Sequence, residues 1–182
     1  MSTNHNESDN KPSKISLPLP PLFGDNFSKG NLNWKRLDNI EFEKIGRVLA
    51  CHLVIENYLN KLLELRLPNY IDIDAANLNF SQKLKMLRND HSFALADFYQ
   101  GVTIINKIRN KYSHHIETKI ESSEIGILKS ILIDYSNKVS NQKSKSPKLY
   151  KDEDDDVMII ERFTSTFCAF IAGYCSGLVE GW

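Results

Sequence analysis

Residues 98–115 read FYQGVTIINKIRNKYSHH, from Phe98 to His115, and their spacing decides the fold. At about 100° per residue, Phe98, Gly101, Val102, Ile104, Ile105, Ile108 and Tyr112 fall on one broad arc. Thr103, Lys107 and Asn110 lie opposite, with Asn106 at the margin. Such a period marks an amphipathic helix whose apolar arc faces a core. Arg109 is the exception, because it projects near the middle of that arc. A buried, unpaired charge is very costly, so the position demands an explanation. Either Arg109 meets a buried acid, for which Glu56 on an earlier helix is the natural partner, or this part of the helix faces a cleft or a second subunit where a guanidinium meets phosphate.

The same period recurs on both sides of this segment. Upstream, IEFEKIGRVLACHLVIENYLNKLLELRL places Ile45, Leu49, His52 or Leu53, Glu56, Leu59, Leu62 and Leu63 at three- and four-residue steps, a long amphipathic helix stopped by Pro68. PNYIDIDAANLN reads as a connector, and SQKLKMLRN as a short second helix, capped by Ser81 or Asn79 and burying Leu84 and Leu87. Downstream, Glu121 to about Val139 forms a fourth helix with Ile125, Leu128, Ile131, Leu132 and Tyr135 in register. SNQKSKSPKLYKDEDDD lacks apolar periodicity and reads as a solvated loop over about 140–156. A C-terminal helix follows over about 157–179. Ahead of all this, residues 1–35 contain SLPLPPLFGDNF, in which prolines alternate with apolar residues, an extended arm that builds no core. The expected fold is all-α: an up-and-down bundle of about five helices in a single domain over 36–182, with that arm in front.

Composition narrows the function classes. Lys+Arg and Asp+Glu both number 23 in 182 residues, so the net charge is zero and any nucleic-acid contact must come from a local patch. Cys51, Cys168 and Cys175 are an odd set in apolar helical stretches without CxxC spacing, which indicates neither a disulfide framework nor zinc; a reducing cytoplasm is the simpler reading. The polar opening MSTNHNESDNKPSK lacks the apolar stretch of a secretory signal. Phe163 to Val179 approaches the roughly 20 residues of a spanning helix, but Thr164, Ser165, Thr166 and Ser176 dilute it and favour a buried or interface helix over a membrane anchor. The acidic run Asp152 to Asp156 stands where a helix N-terminus favours negative charge, a structural role rather than a metal site. Neither a Gly-rich phosphate loop nor an internal repeat is present.

Chemistry therefore concentrates at Arg109, Asn110 and His114, with His115 beside them. Arginine offers a planar, permanently charged fork for phosphate. Histidine, with an ordinary pKa near 6.5, takes and returns protons near neutrality. Asn110 and His114 are four residues apart and share a helix face. Adjacent histidines on a helix point about 100° apart, which disfavours a metal site. The expectation is work on a phosphodiester, RNA first among them, with no cofactor.

The order CHLVIENYLNKLLELRL, LNFSQKLKMLRN, DFYQGVTIINKIRNKYSHH resembles the HEPN superfamily, in particular its branches near the mannitol-operon repressor-like proteins. The family signature is Arg, then four to six residues beginning with a polar one, then His; Arg109, Asn110 and His114 match it at the shortest spacing. The resemblance covers roughly Asn39 to Val139. It implies a metal-independent endoribonuclease in toxin–antitoxin or phage-defence biology. It implies, too, a homodimer whose composite cleft holds Arg109, Asn110 and His114 from both chains, with Glu56 and His115 in support. In that mechanism neutral His114 activates a ribose 2'-OH for attack on the adjacent phosphate while Arg109 stabilises the developing charge. An antitoxin or regulatory protein is an implied partner. Toxin members paired with a nucleotidyltransferase antitoxin often carry a tyrosine two residues beyond the motif histidine, where this chain has Ile116. The resemblance also admits a second role, a non-catalytic regulatory or interaction module.

Overall fold

The computed structural model describes residues 40–67, 76–88, 95–115, 118–140 and 149–180, and among them every regular element is an α-helix. The chain divides into two units, Met1–Ile40 and Glu41–Trp182. The arm expected over 1–35 lies outside the described residues, as do residues 141–148 of the loop expected over about 140–156. The second unit is an all-α bundle of five helices: α1 Phe42–Arg66, α2 Phe80–Arg88, α3 Leu95–His114, α4 Ser122–Ser140 and α5 Asp156–Glu180.

Local chemistry fixes where these helices begin. Asn79 and Gln82 form a reciprocal capping box for α2, with Gln82 N donating to Asn79 Oδ1 at 3.0 Å and Asn79 N to Gln82 Oε1 at 2.9 Å. Of the two caps expected, Asn79 serves. At α4 the Glu121 backbone N–H donates to Glu124 Oε2 at 3.2 Å, so the third helical residue satisfies its own cap. At α5 the acidic run has its helix-terminal role: Asp155 Oδ1 accepts from Met158 N at 2.7 Å. Asp154 accepts from Lys151 N at 2.7 Å and pairs with Arg162.

Packing follows the apolar arcs. The face expected for α3 is buried in full, from Phe98 through Gly101, Val102, Ile104, Ile105 and Ile108 to Tyr112. On α1 the buried stripe is instead Val48, Cys51, His52, Ile55, Leu59, Leu62 and Leu63, while Leu53 is 64% exposed. That stripe is turned by well under a quarter turn from the one read from the sequence. Helix α1 is apolar over a wide arc, and α5 is its most extensive partner, with Arg47 pairing with Glu161 and Cys51 lying beside Thr164 across the contact. Tyr135 on α4 is half-buried, with Ser136 turned inward.

Helix α5 seats Phe163, Phe167 and Ile171 in the core, each with no exposed surface. A fully buried side chain of this size contributes about 1.5–3 kcal/mol over its exposed state. The rings of Phe163 and Phe167 meet Phe98 of α3 edge-on, at centroid separations of 5.9 and 5.8 Å. Gly101 makes the crossing possible: a Cβ there would lie 2.3 Å from the Phe163 ring. By length and composition α5 is apolar enough to cross a membrane; in this fold 44% of its apolar window is buried, and Ala169, Ala172 and Gly173 face outward.

Candidate functional site

The Arg109–His114 segment forms the last turns of α3, and each side chain has a distinct setting. Arg109 is half-buried, and its Nη1 donates to Asn110 Oδ1 at 3.0 Å. No carboxylate pairs with it among the described residues. Asn110, His114 and His115 are exposed. Ser113 Oγ donates back to the Arg109 carbonyl at 3.0 Å, and His115 N to the Lys111 carbonyl at 2.8 Å, so the backbone closes the helix immediately after the motif. Thr118 N then donates to the His115 carbonyl at 3.1 Å as the chain turns toward α4.

One expectation needs correction. Glu56 does not meet Arg109: its carboxylate pairs at 2.7 Å with Lys83 of α2, which is 10% exposed at its side chain. Lys83 arrives with Leu84 and Leu87 as α2 packs across α1 and α3, and a flexible ammonium reaches a carboxylate one helix away more readily than Arg109 does from its own position. Asn110 directs its amide oxygen to Arg109. Lys111, which reads as a spacer in the sequence, is a structural anchor. Its ammonium joins Glu121 at 2.6 Å and Glu124 at 2.9 Å, tying α3 to the start of α4, and Lys107 reaches Glu124 at 3.1 Å. Burial alone would raise the Glu124 carboxyl, but bonds from Lys111, the Glu121 backbone and Lys107 outweigh it and hold the group below its ordinary value.

Beside the motif lies a polar cluster that the sequence reading passed over. His52 of α1 is 4% exposed, stacks on Phe80 at a centroid distance of 4.3 Å, and has Nε2 3.0 Å from Asn106 Oδ1. Asn106 also donates to Ser81 Oγ at 3.4 Å, so one amide links α1, α2 and α3. Burial pushes the His52 pKa below its ordinary value, with the nearby Arg109 and Lys83 charges adding to the effect against Asn106 and Glu56. His52 is therefore a neutral, fixed imidazole. The available signal was spacing: His52 and Glu56 are four apart on α1, and Asn106 and Arg109 three apart on α3, so each pair shares a flank.

The arrangement supplies a guanidinium without an acid partner among the described residues, an amide against it, and accessible imidazoles one turn on. That set can hold a phosphate and move a proton. Among the described residues no group of three or more His, Cys, Asp or Glu side chains is placed to hold a metal ion. Comparison with protein-family models, with curated proteins and with solved structures finds no match to the chain.

Proposed function

We propose that the chain is a metal-independent endoribonuclease of the HEPN type, acting in the cytoplasm as a toxin or phage-defence effector. The observation that carries this reading is Arg109. Its guanidinium stays half-buried against Asn110 with no carboxylate to neutralise it among the described residues, although Glu56 is available on α1 and is taken by Lys83. A structural arginine in that position would be ion-paired; one reserved for a phosphate is not. His114, one turn on and exposed, is the base that would take the 2'-OH proton, and His115 is its alternate. The products would be a 2',3'-cyclic phosphate and a 5'-hydroxyl. The site is half of a composite cleft, completed in a homodimer by the same residues of a second copy.

The test is incubation of the purified full chain with single-stranded and transfer RNA in EDTA. Wild type is expected to cleave, with His114→Ala slower by at least two orders of magnitude, about the contribution of a general base. Identical, intact RNA with both proteins ends the nuclease reading. One observation favours a second reading, a non-catalytic module that binds a regulatory partner: Asn110 serves Arg109, and among the described residues no side chain orients His114. Under that reading Arg109→Ala weakens partner binding while RNA stays uncut.

A further inference from the structure

At the end of the bundle where α3 finishes and α5 begins, a cavity of about 430 Å³ opens on the far side of α3 from His114. Tyr112 forms one wall. The residue is 9% exposed, and its phenolic oxygen has no hydrogen-bond partner among the described residues. Tyr112 lines the cavity beside Lys44 and Asp156, and a ligand there would satisfy its hydroxyl.

The groups around it are mixed in sign. Asp156, Lys119 and Thr118 line the cavity with side chains that make no hydrogen bond or ion pair among the described residues. Lys44 is held by Glu41 at 2.6 Å, and Asp155 spends Oδ1 on the α5 cap and keeps Oδ2. Three carboxylates thus stand against two ammonium groups and the positive N-terminal ends of α1 and α5. Near-balance of charge favours neither a phosphate nor a bare cation. Ile120 and Val157 supply apolar floor. A neutral ligand with adjacent donors for a carboxylate and acceptors for an ammonium group complements such a lining. Guanine is the base with that distribution, since its N1–H and N2–H suit a carboxylate while O6 and N7 accept from lysine.

We propose that this cavity is a guanine-binding site, in which Asp156 accepts from N1–H and N2–H, Lys119 donates to the O6/N7 edge, and the Tyr112 hydroxyl completes the base's hydrogen bonds. The site stands on the cavity alone and does not depend on the nuclease reading. The base can come from a free nucleoside or from single-stranded RNA.

Calorimetric titration of the full chain with guanosine tests it, with inosine, adenosine and uridine as comparisons. Guanosine is expected to bind saturably with a submillimolar Kd, and inosine, which lacks the 2-amino group, about tenfold more weakly. Tyr112→Phe keeps the ring and removes only the hydroxyl; it should weaken guanosine binding several-fold with an unchanged helical circular dichroism spectrum. Asp156→Asn should erase the preference for guanosine over inosine. Absence of saturable binding at millimolar guanosine overturns the proposal, as does binding that both variants leave unchanged or that adenosine and uridine match. Displacement of guanosine by a G-containing hexaribonucleotide, and not by its A-substituted counterpart, supports the site and assigns the base to RNA. Lack of displacement supports it as a nucleoside site.

Discussion

Arg109 is half-buried, and what it touches is an amide. Replacing it with Gln removes a charge that no carboxylate compensates among the described residues, so the folded state loses little; a change within about 1 kcal/mol is expected by urea denaturation, below the cost of breaking a buried ion pair. RNA cleavage should fall about 10²–10³-fold in the same variant, the scale of removing a transition-state donor. A loss of several kcal/mol in stability would instead mark Arg109 as structural. His52 gives a prediction with a defined sign. Its folded pKa lies below its unfolded value, because burial disfavours the charged ring. Below about pH 6.5 the unfolded chain binds the proton and the folded chain does not, so stability present above that pH is lost as pH falls toward the folded pKa. His52→Gln should be less stable at neutral pH, having lost the Phe80 stack, yet show a shallower fall in thermal midpoint between pH 6.5 and 5. An unchanged slope would mean that His52 does not set it. The odd placement of Arg109 was legible from periodicity alone. Its partner was not, because periodicity says which face a side chain occupies and nothing about which of two cations, Arg109 or Lys83, reaches Glu56 first.

Among the helices, the most exacting contact is the crossing of α3 and α5 at Gly101. A methyl group there would come within 2.3 Å of the Phe163 ring and 3.1 Å of Ile131 Cδ1. Gly101→Ala gains some helix propensity, about 1 kcal/mol, but overpacking typically costs 1–3 kcal/mol, and a contact this short between a helix and a fully buried ring puts the net on the destabilising side. Thermal denaturation should show a lower midpoint for Gly101→Ala, partly recovered in Gly101→Ala/Phe163→Leu, where space is returned. A single variant as stable as wild type would show that α5 shifts freely, against its anchoring by Phe163, Phe167 and Ile171. The apolar arc containing Gly101 was fully readable in α3, because its polar and apolar faces are sharply divided. For α1 the division is blurred: Leu53 and Val54 are both exposed, while His52 is buried. A helix apolar over so wide an arc does not itself say which flank a later helix will claim. The cap of α2 was legible as a choice between Asn79 and Ser81, and backbone geometry made the choice. The His52–Asn106 link joins residues 54 apart, a pairing that no local pattern encodes.

At the scale of the whole molecule, the proposed chemistry requires a second copy, and the bundle leaves apolar surface where one can sit. Leu53 is 64% exposed and lies one turn from Glu56, on the flank of α1 turned toward α2, while Phe42 is 55% exposed at the helix start. A leucine that exposed contributes little to the fold of one chain, since scattered surface leucines are ordinary. Its replacement by Glu, a good helix former, should leave monomer stability within about 0.5 kcal/mol. If the composite cleft forms over this flank, a carboxylate placed there meets its own symmetry copy across the two-fold axis, and like charges held together at an isologous interface disfavour association. Sedimentation velocity at micromolar concentration is then expected to show wild type as a dimer and Leu53→Glu as a folded monomer. That monomer should not cleave RNA although Arg109, Asn110 and His114 are intact. A monomeric variant that cleaves at the wild-type rate would make each chain a complete site, and a dimeric variant would place the interface elsewhere. Helix packing specifies α1, α3 and α5 within one chain because each buries its arc there, whereas an exposed residue such as Leu53 has no such internal constraint, and the oligomeric state of Leu53→Glu decides whether a second copy supplies one.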